Sequence, residues 1–178
     1  NFTLNESPKD AVAYVASIGY HELYINGKKV GDAILAPSVS DHKSRARYVT
    51  YDITNYLSEG DNVIAVWLGT SWSIFPAYQR NDKPVIPMLF LQAEFLSSTN
   101  EKITLISDST WKVHSSPNKL LGYWEAHHFG GEFYDASLEI EGWNKVGFND
   151  TDWMNAKEYV VDMPITSDRA YPNRPVKR

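Results

Sequence analysis

Two stretches of the chain hold side chains that could do chemistry together. Between positions 124 and 135 stand Trp124, His127, His128, Glu132, Tyr134 and Asp135. Rings, imidazoles and carboxylates in one place suit a sugar, because the C–H face of a pyranose packs on an aromatic ring while its hydroxyls need carboxylate or amide partners. The stretch from Trp72 to Pro87 adds Trp72 and Tyr78. Spacing limits what these groups do jointly. Glu132 and Asp135 are three apart, and an odd spacing on a strand sends side chains to opposite faces, so local geometry does not make them an acid and base pair. One of them could contact a ligand, or each could be tied into turn hydrogen bonds. His127 and His128 are adjacent and therefore diverge, which gives neither a bidentate metal site nor a dyad. Trp72, Tyr78 and Trp124 are the candidate stacking platforms. Trp67 reads as core, and Trp143 and Trp153 as residues that pin turns onto the fold. No Gly-rich phosphate loop, HExxH pair or Gly-x-Ser-x-Gly elbow occurs.

The elements that must hold these residues read as strands. Leu89, Leu91, Ala93 and Phe95 alternate with Phe90, Gln92 and Glu94, the period of a strand. Val12, Tyr14 and Ala16 alternate with Ala11, Ala13 and Val15, and Val49, Tyr51 and Ile53 form another such run. Leu23 and Ile25 alternate with Glu22 and Tyr24 ahead of Asn26-Gly27, a strong signal for a tight hairpin. Val63 to Leu68 is apolar throughout, as expected of a central strand covered on both faces. Polar turns follow one another closely, as at Ser58 to Asn62, Ser97 to Asn100 and Ser115 to Asn118. Helix is limited to a turn at Thr54 to Leu57 and another near Asn149 to Trp153. Trp72 to Pro87 lacks a period and reads as a long loop, the kind that tends to be functional.

The whole is an all-β sandwich or barrel. A length of 178 residues suits one domain. It spans 1–163; residues 164–178, rich in Pro and basic side chains, read as a connector toward a following domain. Seventeen Lys and Arg stand against twenty-two Asp and Glu, so a nucleic acid backbone would be repelled overall. The short basic spots read as solvated faces. Cysteine is absent, which excludes disulfides and thiolate chemistry and leaves localisation open. No run approaches the roughly 18 apolar residues of a membrane helix. The start at Asn1 reads as that of a trimmed or mature chain.

Five ordered segments carry a resemblance. Gly19 to Gly31 with its Tyr24-Ile25-Asn26-Gly27 centre, Ala36-Pro37, Tyr48 to Thr54, Gly60 to Ile64 and Leu68 to Trp72 resemble the N-terminal accessory domain of bacterial α-L-rhamnosidases. Gly131 to Ala136, Gly142-Trp143 and Phe148 to Trp153 resemble that family's second signature. The resemblance implies a galactose-binding-like jelly roll, a β-sandwich of two antiparallel sheets. It implies a non-catalytic role, with the acid and base carboxylates in a separate helical barrel, and a periplasmic or secreted bacterial setting. It also implies L-rhamnose or a related glycan as ligand, with calcium held by Glu132 and Asp135. This chain departs from the family where Gly130 replaces an Asp or Asn, where Ser137 replaces an Arg, and where no Asp precedes Trp72 in the earlier motif. Calcium takes roughly six to eight oxygens, so each lost ligand weakens such a site.

The expected function is thus a carbohydrate-associated module of a multidomain glycoside hydrolase. Its sugar-contacting residues are Trp72, Tyr78, Trp124, His128, Glu132 and Tyr134, with the 72–87 loop and the 127–135 cluster meeting at one rim. Carbohydrate and the neighbouring domains of the parent enzyme are the expected partners. The alternative is a structural spacer that packs against the catalytic barrel without binding sugar. A jelly-roll lyase would require Tyr134 and His128 to converge within hydrogen-bond reach.

Overall fold

The computed structural model describes residues 1–74, 87–122, 127 and 130–168. The strands in chain order are β1 (Phe2–Leu4), β2 (Asp10–Ile18), β3 (Tyr20–Ile25), β4 (Lys28–Lys29), β5 (Ala46–Asp52), β6 (Gly60–Asn62), β7 (Ile64–Gly69), β8 (Met88–Leu96), β9 (Lys102–Ile106), β10 (Lys112–Val113), β11 (Asn118–Leu121), β12 (Gly131–Tyr134), β13 (Met154–Asn155) and β14 (Ile165–Ser167). Among the described residues, helix is confined to 3-10 turns at Thr54–Tyr56, Ser71–Ile74 and Ala136–Leu138. The expected turn near Asn149 is not helical: the Asn149 side chain caps Thr151, and the Trp153 N–H closes on the Asp150 carbonyl at 3.0 Å.

A five-stranded sheet in the order β14-β5-β2-β8-β9 faces a three-stranded sheet in the order β4-β3-β7. Their inner faces form one core. Ala11, Ala13 and Val15 of β2 and Leu91, Ala93 and Phe95 of β8 meet Leu23 and Ile25 of β3 and Ile64 of β7. Alternate residues of β2, β3 and β8 are buried, so the period-two pattern becomes a packed layer. Ala13 and Ala93 are cross-strand partners with no exposure, and the room they leave suits the larger side chains of the facing sheet. The β1–β6 ribbon closes one side, with Phe2 stacked on Phe95 at 5.3 Å.

One glycine takes the chain from the first sheet to the second. Gly19 alone separates β2 from β3 and holds φ at +102°. A Cβ there would lie 2.1 Å from the Gly69 carbonyl oxygen, so only glycine lets the corner approach β7. Asn26 and Gly27, with φ of 51° and 80°, make the hairpin between β3 and β4, a pair of left-handed residues as a type I′ turn requires. The Asn26 amide also donates to Asn62 Oδ1 at 2.8 Å and accepts from the Val63 N–H at 2.9 Å, which ties the hairpin to β6.

Three expectations need correction. Val63 to Leu68 is not central: β7 is an edge of the three-stranded sheet among the described residues and is mostly half-buried. Its apolar outer face has a different cause, because Trp67 and Tyr24 lie under Trp143 with ring centroids 5.7 and 5.4 Å away. Trp67 is therefore covered from outside rather than set in the core. Secondly, the expected sandwich of antiparallel sheets holds with one exception, since β14 runs parallel to β5. Thirdly, sheet pairing continues beyond Met163. Ile165–Ser167 joins the sheet, and Asp168 accepts from Arg47 Nη1 at 3.0 Å and from the Ser38 N–H at 2.9 Å. The Arg47 and Asp168 side chains are 6% and 3% exposed, so a buried ion pair fastens a segment whose composition reads as a linker.

Candidate functional site

Asn118–Leu121 and Gly131–Tyr134 form a two-stranded ribbon. β11 pairs with β12 in antiparallel register, Asn118 opposite Tyr134, Lys119 opposite Phe133, Leu120 opposite Glu132 and Leu121 opposite Gly131. Directly opposed residues share a face and successive ones alternate. One face therefore carries Tyr134, Glu132, Leu120 and Asn118, and the other carries Phe133, Leu121 and Lys119. Every β12 residue is exposed. Glu132 and Tyr134 sit two residues apart on one face, about 7 Å along the strand, with the ring and the carboxylate both open to solvent. That pair offers a stacking surface beside a hydrogen-bond acceptor.

Asp135 belongs to a different device. Its N–H donates to the Pro117 carbonyl at 3.1 Å and closes the ribbon at its base. Its Oδ1 accepts from the Ser137 hydroxyl at 2.6 Å and from the Ser137 N–H at 3.0 Å, which caps the 3-10 turn Ala136–Leu138. These bonds, the hydroxyl's first, hold the Asp135 carboxyl below the usual carboxylate range. Ser137 is thus the partner of Asp135.

The described residues here offer few side-chain oxygens toward calcium. Gly130 adds no side-chain oxygen, Asp135 Oδ1 already accepts two hydrogen bonds, and Glu132 and Asp135 do not share a ribbon face. No group of three or more His, Asp or Glu that could hold a metal occurs among the described residues. His127 is exposed with φ of 71°. Trp72 lies in the 3-10 turn Ser71–Ile74; its side chain, like Tyr78, Trp124 and His128, lies outside the described residues. Of the expected sugar-contacting set, the structure therefore brings together Glu132 and Tyr134.

Sequence reasoning missed a buried polar chain. Ser17 Oγ donates to the Gly19 carbonyl at 2.9 Å and lies 2.8 Å from His21 Nδ1, while His21 Nε2 lies 3.0 Å from the Tyr51 hydroxyl. Ser17 has spent its one proton on Gly19, so Nδ1 must carry the imidazole proton and Nε2 accepts from Tyr51. Burial, opposed by the charge of Asp168, pushes the His21 pKa down from 6.5 to about 4. Burial also raises the Tyr51 pKa. A Ser–His contact suggests a nucleophile and its base, but the serine proton points away from the histidine and both residues are 2% exposed. The chain joins the two sheets and does no chemistry on a ligand. One signal was available: His21 occupies the same strand parity as the core residues Leu23 and Ile25.

Known proteins share this architecture. The family model described as alpha-L-rhamnosidase N-terminal domain matches residues 6–178. An alpha-L-rhamnosidase of Formosa agariphila is 31% identical over 179 residues, covering 95% of this chain and 18% of that protein. The crystal structure of the Streptomyces avermitilis alpha-L-rhamnosidase complexed with L-rhamnose superposes with a TM-score of 0.79 at 28% identity, over 93% of this chain and 16% of that one. The structure of the native enzyme from Aspergillus terreus gives 0.77 at 32% identity, over 90% and 18%. The chain spans less than a fifth of the length of these relatives. Matched from residue 6 to residue 178 and alike in fold, it belongs to the family of alpha-L-rhamnosidase N-terminal domains.

Proposed function

We propose that the chain is a non-catalytic, carbohydrate-associated module of an α-L-rhamnosidase-type glycoside hydrolase, and that the Glu132–Tyr134 face of the ribbon contacts a rhamnose-containing saccharide. The exposed ring and carboxylate side by side on β12 carry this reading. The relatives' name and the small share of them that this chain covers support it. A single ring beside one acceptor on an open surface gives affinity on the order of millimolar. Calorimetric titration with L-rhamnose should show weak saturable heat that Tyr134→Ala and Glu132→Gln each abolish, without change in the melting temperature. The chain should release nothing from an aryl rhamnoside; hydrolysis lost on Glu132→Gln would overturn the non-catalytic reading.

The spacer reading also has an observation in its favour. Asp135 is engaged by Ser137 and Gly130 contributes no side chain, so the ribbon keeps one carboxylate where a fuller site would need several. A flat trace at millimolar sugar, with and without added calcium, would select the spacer. Heat that requires calcium would reject it.

A further inference from the structure

Both faces of the β11–β12 ribbon carry large apolar side chains in water. Leu120 and Tyr134 are 44% and 46% exposed on one face, and Leu121 and Phe133 are each 50% exposed on the other. The ribbon pairs with no third strand among the described residues, and none of its residues joins the core cluster. Two strands without a covered face are marginal in water, and adjacent exposed rings and leucines mark a contact surface rather than ordinary scatter. The two faces differ in chemistry. Glu132 gives the Tyr134 face an acceptor, whereas the Phe133 face offers only Phe133, Leu121 and the Lys119 side chain, whose methylenes can lie along apolar surface with the ammonium at the rim.

We propose that the Phe133–Leu121 face is a docking arm held by another domain of the same polypeptide. This rests on the reading of the chain as one module of a larger enzyme. The occupant follows from length: relatives similar over nearly all of this chain are more than five times as long, so most of such a polypeptide lies outside the sandwich. Phe133 and Leu121 act as anchor residues, and Lys119 forms the polar edge. The opposite face, with Glu132 and Tyr134, stays turned toward solvent and ligand. Docking then fixes the ribbon that presents the sugar-contacting pair.

Amide hydrogen exchange, compared between the 178-residue chain and the longer polypeptide that carries it, tests this. Ribbon amides at 119–121 and 131–133 should exchange at least tenfold more slowly in the longer polypeptide. The double substitution Leu121→Ser with Phe133→Ser should return them to the fast rate while β2 amides stay protected in both lengths. Equal ribbon exchange in the two lengths would overturn the proposal. So would loss of β2 protection in the substituted 178-residue chain, which would show that the face packs within this domain. Ribbon protection that appears in the 178-residue chain only on concentration would assign the face to a second copy and also overturn it. Rhamnose titration of Glu132→Gln, read separately, reports on the functional reading alone.

Discussion

His21 should make the stability of this fold depend on pH in a window where exposed carboxylates contribute little. The folded chain holds the imidazole neutral, with its pKa moved from 6.5 to about 4 chiefly by burial. In the unfolded chain the ring regains its ordinary value. As pH falls below 6.5 the unfolded state takes up a proton that the folded state refuses, so stability is lost down to about pH 4 and no further through this group. A depression of this size corresponds to about 3–4 kcal/mol at about 1.4 kcal/mol per unit. The structure supplies the cause: the imidazole is 2% exposed, so its charged form would be cut off from water, and the charge of Asp168 offsets only part of that cost. Urea unfolding followed by tryptophan fluorescence from pH 7.5 to 4 measures the loss. His21→Gln, which keeps a neutral acceptor near Tyr51, should lower stability at pH 7 but remove most of the decline between pH 6.5 and 4. If the two proteins lose stability in parallel across that window, the buried neutral histidine is not its source.

Other perturbations follow from named contacts. Asp168→Ala leaves the Arg47 guanidinium buried without its carboxylate and should cost about 3–5 kcal/mol in urea unfolding. Gly19→Ala puts a Cβ 2.1 Å from the Gly69 carbonyl oxygen at a φ of +102°, so the corner must open; a drop in soluble yield and in melting temperature is expected. Trp143→Ala uncovers Tyr24 and Trp67 and should lower stability by about 2 kcal/mol, with a red-shifted emission from Trp67.

The sandwich was legible where one side-chain period met one partner. β2, β3 and β8 bury alternate residues, so their apolar positions already marked both strand and inner face. Asn26-Gly27 specified its own turn, because only those residue types accept two left-handed positions cheaply. β14 was illegible for the converse reason: Ile165, Thr166 and Ser167 carry no pattern, and they are held by pairing with β5 and by the bonds of Arg47 and Ser38 to Asp168, partners that lie far away in sequence. β11 and β12 are four residues each, too short for a period to show. At the candidate site, the Asx geometry of Asp135 and Ser137 was readable from their spacing of two, since a carboxylate reaches the N–H two residues on. Trp67 misled because an apolar strand looks the same whether its second face meets the core or a tryptophan from a distant turn.

The parallel seating of β14 on β5 has a mechanical consequence. The Ala46 N–H holds the Pro164 carbonyl at one end of the segment, the Asp168 N–H holds the Tyr48 carbonyl at the other, and the Arg47–Asp168 pair lies beside them. Tension along the strand from beyond Asp168 loads these bonds side by side in shear, so they must yield together. The same tension across the strand would peel them one at a time. The edge is therefore stiff along one axis and weak along the other, and a force probe attached past residue 168 should record a rupture force that depends on pulling direction.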